Sequence, residues 1–560
     1  MNKNLLVTFF IVLTFYACKQ PIVYDTIIRN GLIYDGNGAE PYKADIGINA
    51  DTIAFIGDLK DAHAKKETDA KGMAVAPGFI NMMGHSEESL IQDGRSQGDI
   101  RQGVTTEIFT ESSMGPYNAK MKQQQQDGQG DIKYKVGWNT LGEYMNFLEK
   151  KGISCNIATF VGTGAVRQYV IGEGSNAPTP VQLDSMKWLV RQAMEEGALG
   201  VTNALIYPPD FFAKTDELIA LSKEAAKYGG TYDSHMRSEG NKLYEAVEEL
   251  ITISKEANIP AEICHLKAAG KGNWGKMDSV IRRVERARKE GQDITADMYT
   301  YVAGATGMTS AFPPALQDGG FGKLWLRLHD PAIRKQMAKA MNTDATDWEN
   351  LYYGSEGATH VLLLSFKQDS LKKFTGKTLA EVAAIRGKTP EETAMDLIIQ
   401  DSTRVGVAYF MINEDNVKKQ VALPWVSFGS DEASYATEGV FLKSNAHPRA
   451  YGNFARLLGK YCRNEKALAL KDAIRKLSNL PAKHLKLLKR GELKTGYYAD
   501  IVIFDPATIA DHATFDKPHQ YATGVSDVFV NGKQVLQNGG HTGASPGRFV
   551  KGPGYTPATK

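Results

Sequence analysis

Short apolar segments alternate with amphipathic segments through the middle of this 560-residue chain, and this alternation limits the folds open to it. The apolar segments have the length of buried strands, whereas residues 181–196 and 276–290 repeat apolar side chains every three to four positions, as helices do. Strands that alternate with helices pair in parallel, because each crossover helix returns the chain to the same end of the sheet. The candidate strands are residues 73–82, 105–110, 155–161, 199–202, 230–234, 261–264, 293–296 and 425–429. Eight strands in this order predict an α/β fold, a (β/α)8 TIM-like barrel, with a doubly wound open sheet as the alternative.

Both ends of the chain carry strand patterns without intervening helices. Residues 26–57 contain short apolar runs separated by Asn-Gly and Asp-Gly turns, and residues 499–533 return to the same pattern. We therefore predict a small β-sandwich domain formed from both termini, with residues 19–75 and 485–560 flanking a barrel at residues 76–484. The interval 301–424 is too long for a connection between strands seven and eight, so we predict an inserted subdomain at the barrel mouth.

The N-terminus has the pattern of an export signal. Lys3 precedes an apolar run at residues 5–17, which is too short to span a membrane comfortably. A small residue, Ala17, stands directly before Cys18, as in a bacterial lipobox. Residues 1–18 are therefore predicted to be a signal peptide with Cys18 as the lipidated mature N-terminus. The expected location is the bacterial cell envelope, periplasmic or surface-facing, with a lipid anchor as the only membrane contact. A plain signal peptide cleaved nearby is the alternative.

Charge and cysteine content exclude several classes of function. The formal net charge is +2 with both signs interspersed, so no nucleic-acid partner is expected. Besides Cys18, the chain has Cys155, Cys264 and Cys462, which are too few and too far apart for a disulfide framework.

Polar side chains follow the candidate strands at the end where barrel enzymes place their chemistry. Strand seven ends near Asp297 and Tyr299, and the ends of strands one, two, five, six and eight carry His85, Glu111, His235, His265 and Asp431. Neutral imidazole and carboxylate suit Zn²⁺, and a catalytic zinc site leaves one position open for water. Three of the chain's 11 histidines occupy strand ends, which favours a metal site over coincidence.

An ordered series of short motifs resembles the D-aminoacylase (N-acyl-D-amino-acid deacylase) family of the amidohydrolase superfamily. The resemblance runs from about Tyr24 to about Pro553 and is specific as a series, although each motif alone is weak. It implies the barrel, the composite β domain and deacylation of N-acylated amino acids. The matching stretches are residues 76–80, 102–106, 195–200, 207–208, 228–240, 265–267, 295–301, 430–431, 447–454, 480–482 and 490–502.

The chain departs from this family at the predicted metal site. Met83 stands where the family has the first histidine of His-x-His, and a thioether is a poor ligand for Zn²⁺. Ser112 stands near the family's usual cysteine ligand, whereas Glu111 beside it resembles the ligand of some relatives. We therefore expect one Zn²⁺ held by Glu111, His235 and His265, with His85 touching the substrate carbonyl or the attacking water.

Asp431 is the predicted catalytic acid–base group, because a carboxylate at this position can accept a proton from water and return it to the departing amine. The resemblance implies that Lys267, Tyr299 and Arg449 bind the carboxylate of the N-acylated amino acid, the expected small-molecule partner. An Arg fork and a Lys point charge suit that anion. A helix N-cap for Asp431 and surface or packing roles for the other three are the alternatives.

Two other functions stay open at this point. The chain could be a different amidohydrolase, such as a dipeptidase or a cyclic-amide hydrolase, because the first-strand motif is altered. It could also be a lipid-anchored binding protein whose metal site has decayed. Arg237 and Glu239 are expected either to order the rim of the site or to pair with each other.

Overall fold

The computed structural model describes residues 23–557. The predicted signal peptide, with Cys18, lies outside this range and stays a prediction. Within the described range, no helix has both the length and the apolar character needed to cross a bilayer.

The elements follow one another in the order that the sequence pattern predicts. The strands are β1 (Val23–Ile33), β2 (Tyr42–Asn49), β3 (Thr52–Gly57), β4 (His63–Asp69), β5 (Ala74–Pro77), β6 (Phe79–Gly84), β7 (Val104–Phe109), β8 (Asn156–Thr159), β9 (Val161–Gly162), β10 (Gly200–Ala204), β11 (Thr231–His235), β12 (Ala261–Ile263), β13 (Ile294–Ala296), β14 (Ala303–Gly307), β15 (Val361–Ser365), β16 (Gly406–Phe410), β17 (Ile501–Phe504), β18 (Val525–Val530), β19 (Lys533–Gln537) and β20 (Gly540–His541). The α-helices are α1 (Glu87–Gln92), α2 (Gln97–Ile100), α3 (Ala119–Gly128), α4 (Leu141–Lys151), α5 (Thr163–Ile171), α6 (Pro180–Glu196), α7 (Thr215–Ala226), α8 (Leu243–Ala257), α9 (Met277–Lys289), α10 (Phe321–Arg327), α11 (Pro331–Met341), α12 (Leu351–Gly354), α13 (Leu379–Arg386), α14 (Pro390–Asp401), α15 (Glu414–Val421), α16 (Arg449–Arg456), α17 (Leu470–Leu477) and α18 (Asn479–His484).

Eight parallel strand positions close into a barrel. Strands β6, β7 and β8 pair in parallel, and β9 to β13 form a second parallel run that continues from β8 after one residue. Residues 425–430 supply the eighth position: Val426 bridges Ala296 of β13, and the Met82 N–H of β6 donates to the Phe428 carbonyl. The predicted (β/α)8 barrel is therefore confirmed.

The outer helices are amphipathic and pack one face on the barrel. In α6, Met186, Leu189, Val190 and Ala193 are buried against the strands. Thr179 caps this helix reciprocally with Gln182, which satisfies donors that its first turn would otherwise leave unpaired. The local sequence signals and the packing thus agree on where this helix begins and which face it buries.

The two termini build one sheet, which confirms the predicted composite β domain. Strands β1 to β5 join β17 to β20 through antiparallel pairing of β5 with β17. The sheet folds back on itself. Its edge strand β3 contacts the segment just before β17, where the Ile53 N–H donates to the Tyr497 carbonyl. Its hydrophobic core includes Ile46, Ile501 and Phe529.

The boundaries of this β domain differ from the expected ones. Strand β5 crosses the predicted limit at residue 75, since pairing rather than local pattern decides where the sheet ends. Near the C-terminus, the Val550 N–H donates to Ile157 and the Gly552 N–H to Gly197. Residues 547–552 therefore lie along the barrel instead of in the β domain.

The long interval between strands seven and eight forms a cap. It contains the antiparallel sheet β15–β16–β14 and helices α10 to α15. The cap reaches the strand ends, because Glu349 accepts a hydrogen bond from the Glu239 N–H, 2.5 Å away, just after β11. This places the predicted insertion over the mouth of the barrel.

Candidate active site

Three polar residues at the strand ends have left-handed backbone conformations. The φ angles are 63° at Glu111, 33° at His265 and 49° at Asp431. Such conformations are unfavourable for residues with a Cβ and persist only where the surrounding structure enforces them. Three of them lie together at one end of the barrel.

Glu111, His235 and His265 converge on one point. The Glu111 Oε1 atom lies 2.7 Å from His235 Nδ1 and 2.7 Å from His265 Nε2. Within residues 23–557, this trio is the one group of three histidine, cysteine or carboxylate side chains whose ligand atoms meet closely enough to hold a metal ion. The structure thus brings together the three side chains predicted as ligands, from the end of β11 and from just after β7 and β12.

The donor set fits Zn²⁺ in its chemistry and in its supporting contacts. Two imidazoles and one carboxylate leave a fourth position for water or substrate, as in catalytic zinc sites. Histidine ligands are commonly oriented by a carboxylate on the second ring nitrogen. Here the Glu239 carboxylate lies 2.8 Å from His265 Nδ1 and 3.7 Å from His235 Nε2.

Glu239 contacts both predicted histidine ligands, a position that sequence patterns did not reveal. Its Oε1 atom accepts a hydrogen bond from the Lys267 ammonium, 2.6 Å away. Burial raises the pKa of Glu239, but Lys267 and the two histidines outweigh it and lower the pKa to about 2. The expected alternative pairing of Glu239 with Arg237 is wrong, because Arg237 pairs with Glu249 at 2.9 Å.

Buried hydrogen bonds hold the backbone of Glu111 in place. The Glu111 N–H donates to Thr202 Oγ1, and the Thr202 hydroxyl donates to Asp233 Oδ2, 2.6 Å away. Cys264 Sγ lies 3.1 Å from the same Asp233 oxygen. Burial raises the pKa of the Cys264 thiol well above its ordinary value, so this cysteine is unsuited to act as a nucleophile.

Asp431 and His85 face the metal trio from the other side. Asp431 Oδ1 is 3.2 Å from His85 Nε2, and that nitrogen is 3.9 Å from Glu111 Oε2. Burial raises the pKa of Asp431, but the Arg449 guanidinium, 2.7 Å from Oδ2, holds it well below its usual range. Asp431 is therefore a carboxylate that can accept a proton. The alternative role of Asp431 as a helix N-cap is wrong, because no helix begins at this residue.

Lys267, Tyr299 and Arg449 form one group beside Asp431. The Arg449 Cζ atom lies 4.3 Å from the centre of the Tyr299 ring, and the Lys267 ammonium lies 5.6 Å from it. The surface salt-bridge alternative is wrong for both cations, because both are buried. Arg449 is the ion-pair partner of Asp431 in this structure, and its contact with a substrate carboxylate stays a prediction.

The first strand supplies no second histidine. Met83 is fully buried, and its carbonyl accepts a hydrogen bond from the Asp431 N–H. His85 is the nearest imidazole to the trio but makes its closest contact with Asp431. The described residues thus offer one complete ligand set, with His85 beside it.

The chain is similar in sequence to known amidohydrolases. A model described as the amidohydrolase family matches residues 66–536. The D-aminoacylase of Alcaligenes xylosoxydans xylosoxydans is 30% identical over 535 residues, covering 95% of this chain and 98% of that protein.

Solved structures of deacylases are similar to this chain in fold. The N-acyl-D-glutamate deacylase of Bordetella bronchiseptica, complexed with zinc and a phosphonate mimic of the tetrahedral intermediate, is 27% identical with a TM-score of 0.78. That comparison covers 94% of this chain and 99% of the other. A D-aminoacylase with a binuclear metal centre, activated by one metal and attenuated by the second, is 30% identical with a TM-score of 0.78. It covers 94% of this chain and 100% of the other.

Proposed function

The chain belongs to the amidohydrolase family, and from that premise we propose that it hydrolyses N-acyl-D-amino acids to a carboxylate and a D-amino acid, with one bound Zn²⁺. The observation that carries this proposal is the convergence of Glu111, His235 and His265 beside the buried Asp431 carboxylate. Two similar proteins are named for deacylation of N-acyl-D-amino acids, which supports the choice of substrate class and of configuration.

Glu111, His235 and His265 would hold the ion, which supplies Lewis-acid activation of the scissile carbonyl and of the attacking water. Asp431 accepts the proton that the water loses as its oxygen adds to the carbonyl carbon. Asp431 then gives this proton to the amine nitrogen as the carbon–nitrogen bond breaks. His85, 3.2 Å from Asp431, orients that carboxylate and donates to the oxygen that develops charge.

The Tyr299 hydroxyl is suited to bind the substrate carboxylate. It is buried and has no hydrogen-bond partner within residues 23–557, which is costly unless a ligand completes it. Lys267 and Arg449 lie against the same ring and make its surroundings cationic. An anionic group beside this hydroxyl would be stabilised by all three side chains.

Tyr299→Phe is expected to raise KM for N-acetyl-D-amino acids about tenfold, because it removes one hydrogen bond to a charged group and leaves the ring in place. The corresponding neutral amides, which lack the carboxylate, should show a much smaller change. Steady-state kinetics on matched acid and amide substrates check this. An equal change for both substrates would show that Tyr299 does not contact the carboxylate.

Metal quantification of the purified protein, combined with hydrolysis of N-acetyl-D- and N-acetyl-L-amino acids, tests the proposed function. We expect about one Zn²⁺ per chain and faster turnover of the D series. Activity only on dipeptides or cyclic amides would replace this function with another amidohydrolase reaction. A metal-free protein with no chelator-sensitive activity would indicate a binding protein.

We propose that the protein acts in the bacterial cell envelope, anchored by lipid at Cys18. The apolar run at residues 5–17 followed by Ala17-Cys18 supports this location. The Cys18→Ala variant should then move from the membrane fraction to the soluble fraction and lose incorporated palmitate. Unchanged fractionation of this variant would argue against the anchor.

A further inference from the structure

Arg404 stands on a strained connection in the cap, at the mouth of the barrel. It lies between α14 and β16, with Ser402 and Val405 both at a φ of 54°. A β-branched residue is rarely found in this conformation, so the surrounding contacts must hold it there. The Arg404 and Val405 carbonyls both accept from the Met308 N–H, and the Val405 N–H donates to Thr403 Oγ1.

The Arg404 guanidinium contacts hydroxyl groups and an aromatic ring but no carboxylate within the described residues. Its Nε donates to Thr309 Oγ1 over 3.0 Å, and its Cζ lies 4.6 Å from the centre of the Tyr207 ring. It forms no ion pair within the part of the chain that the structure describes, whereas Arg237 and Arg449 near the same barrel mouth are each paired with a carboxylate. Its Nη2 donates to Thr306 Oγ1 over 3.5 Å, and the rest of this exposed guanidinium has N–H groups left for contact with an anion.

Tyr207 connects this guanidinium to the metal site. Its ring packs edge-on against the His235 imidazole, with 5.5 Å between the ring centres. The Tyr207 hydroxyl lies 2.7 Å from Thr306 Oγ1, beside the Arg404 side chain. One aromatic ring thus separates the free cation from a predicted metal ligand. A substrate held at the metal would extend past this ring towards Arg404.

We propose that Arg404 recognises a second carboxylate on the substrate, in addition to the α-carboxylate expected near Tyr299. This inference rests on the proposed deacylase function and narrows its substrate class to N-acyl-D-amino acids that carry two carboxylates. The second carboxylate could belong to the amino-acid side chain or to the acyl group. Both sources present the same anion to the guanidinium and to the hydroxyls of Thr306 and Thr309.

Matched substrate pairs distinguish the two sources. N-acetyl-D-glutamate is compared with N-acetyl-D-glutamine, and N-succinyl-D-alanine with its succinamide analogue. We expect the zinc-loaded wild-type protein to prefer the acid of at least one pair by about tenfold or more in kcat/KM, mainly through KM. Arg404→Gln should reduce that preference to near unity, and Arg404→Lys should retain part of it. The pair that loses its preference identifies the source of the carboxylate.

Arg282→Gln is the matched control, because Arg282 is an exposed helix arginine that donates only to Ser279. It should leave the acid-over-amide ratio unchanged. Gly307→Ala is a second test that keeps the arginine, because a Cβ at Gly307 would lie 2.7 Å from Arg404 Nε. The displaced guanidinium should lose much of the preference, as in Arg404→Gln.

Calorimetric binding of the same four compounds to the wild-type and Arg404→Gln proteins separates this inference from the proposed function. If no N-acyl-D-amino acid is hydrolysed, the proposed function fails, and the acid-over-amide ratio of Kd values still decides the role of Arg404. The inference is overturned if the wild-type protein prefers neither acid. It is also overturned if Arg404→Gln keeps the preference.

Discussion

Asp431→Asn is expected to lower kcat about 1,000-fold while the protein keeps its bound metal, because general acid–base groups contribute on this scale. The amide has the shape of the carboxylate and can keep an oxygen beside the Arg449 guanidinium, whose Nη1 atom lies 2.7 Å from Asp431 Oδ2. It cannot accept the proton of the attacking water. Asp431 is not among the three side chains that meet at the metal position, so metal content should not change.

Kinetics and metal quantification on the same Asp431→Asn preparation check this expectation. Asp184→Asn is the matched control, since Asp184 is an exposed residue of α6 that pairs only with Lys187. It should behave as the wild-type protein does. A variant at Asp431 that retains more than about a tenth of the activity would assign proton transfer to another group.

His265→Ala is expected to remove both the metal and the activity. His265 supplies one of the three protein ligand atoms. Its imidazole is only 2% exposed, so side chains at the protein surface do not reach the position of its ligand nitrogen. The loss of metal affinity should exceed the roughly 10- to 100-fold effect that is usual for residues behind the ligands. Turnover should fall at least as far as in Asp431→Asn.

Glu239→Gln provides the graded comparison for this second prediction. Glu239 lies 2.8 Å from His265 Nδ1 and binds no metal itself, so its loss should weaken zinc about 10- to 100-fold and leave activity that excess zinc restores. His512→Ala, on the surface of the chain, is the matched histidine control. Competition with a zinc chelator measures the zinc affinity of the wild-type protein and of the three variants. Equal zinc affinity in His265→Ala and the wild-type protein would contradict the proposed ligand set.

The barrel and the composition of its catalytic end could be predicted without coordinates. Both depend on local regularities: strand-length apolar runs, helical periodicity and the residue that follows each run. Because parallel strands of one barrel all end at the same side, His85, Glu111, His235, His265 and Asp431 had to lie near one another once the strand order was correct. The reciprocal cap of Thr179 and Gln182 is another local signal that the fold preserves.

The partners of the charged side chains could not be predicted in the same way. Glu239 was expected to order the rim or to pair with Arg237, two positions earlier in the chain, but it binds Lys267 and His265, which follow the neighbouring strand β12. Arg449 follows Asp431 by 18 residues and pairs with it only because α16 packs against the end of the eighth strand. No periodicity in the sequence encodes such a contact.

The amino-acid sequence by itself determined the (β/α)8 barrel, the shared β domain and the set of candidate ligands at the strand ends, because each follows from spacing along the chain. Only the tertiary structure decided that Glu239 supports the histidines, that Arg449 holds Asp431 ionised, and that Arg404 of the cap faces Tyr207. These contacts join residues from separate loops and from the insertion. Their geometry depends on how the cap and the helices pack on the barrel, and charge alone would permit many other pairings.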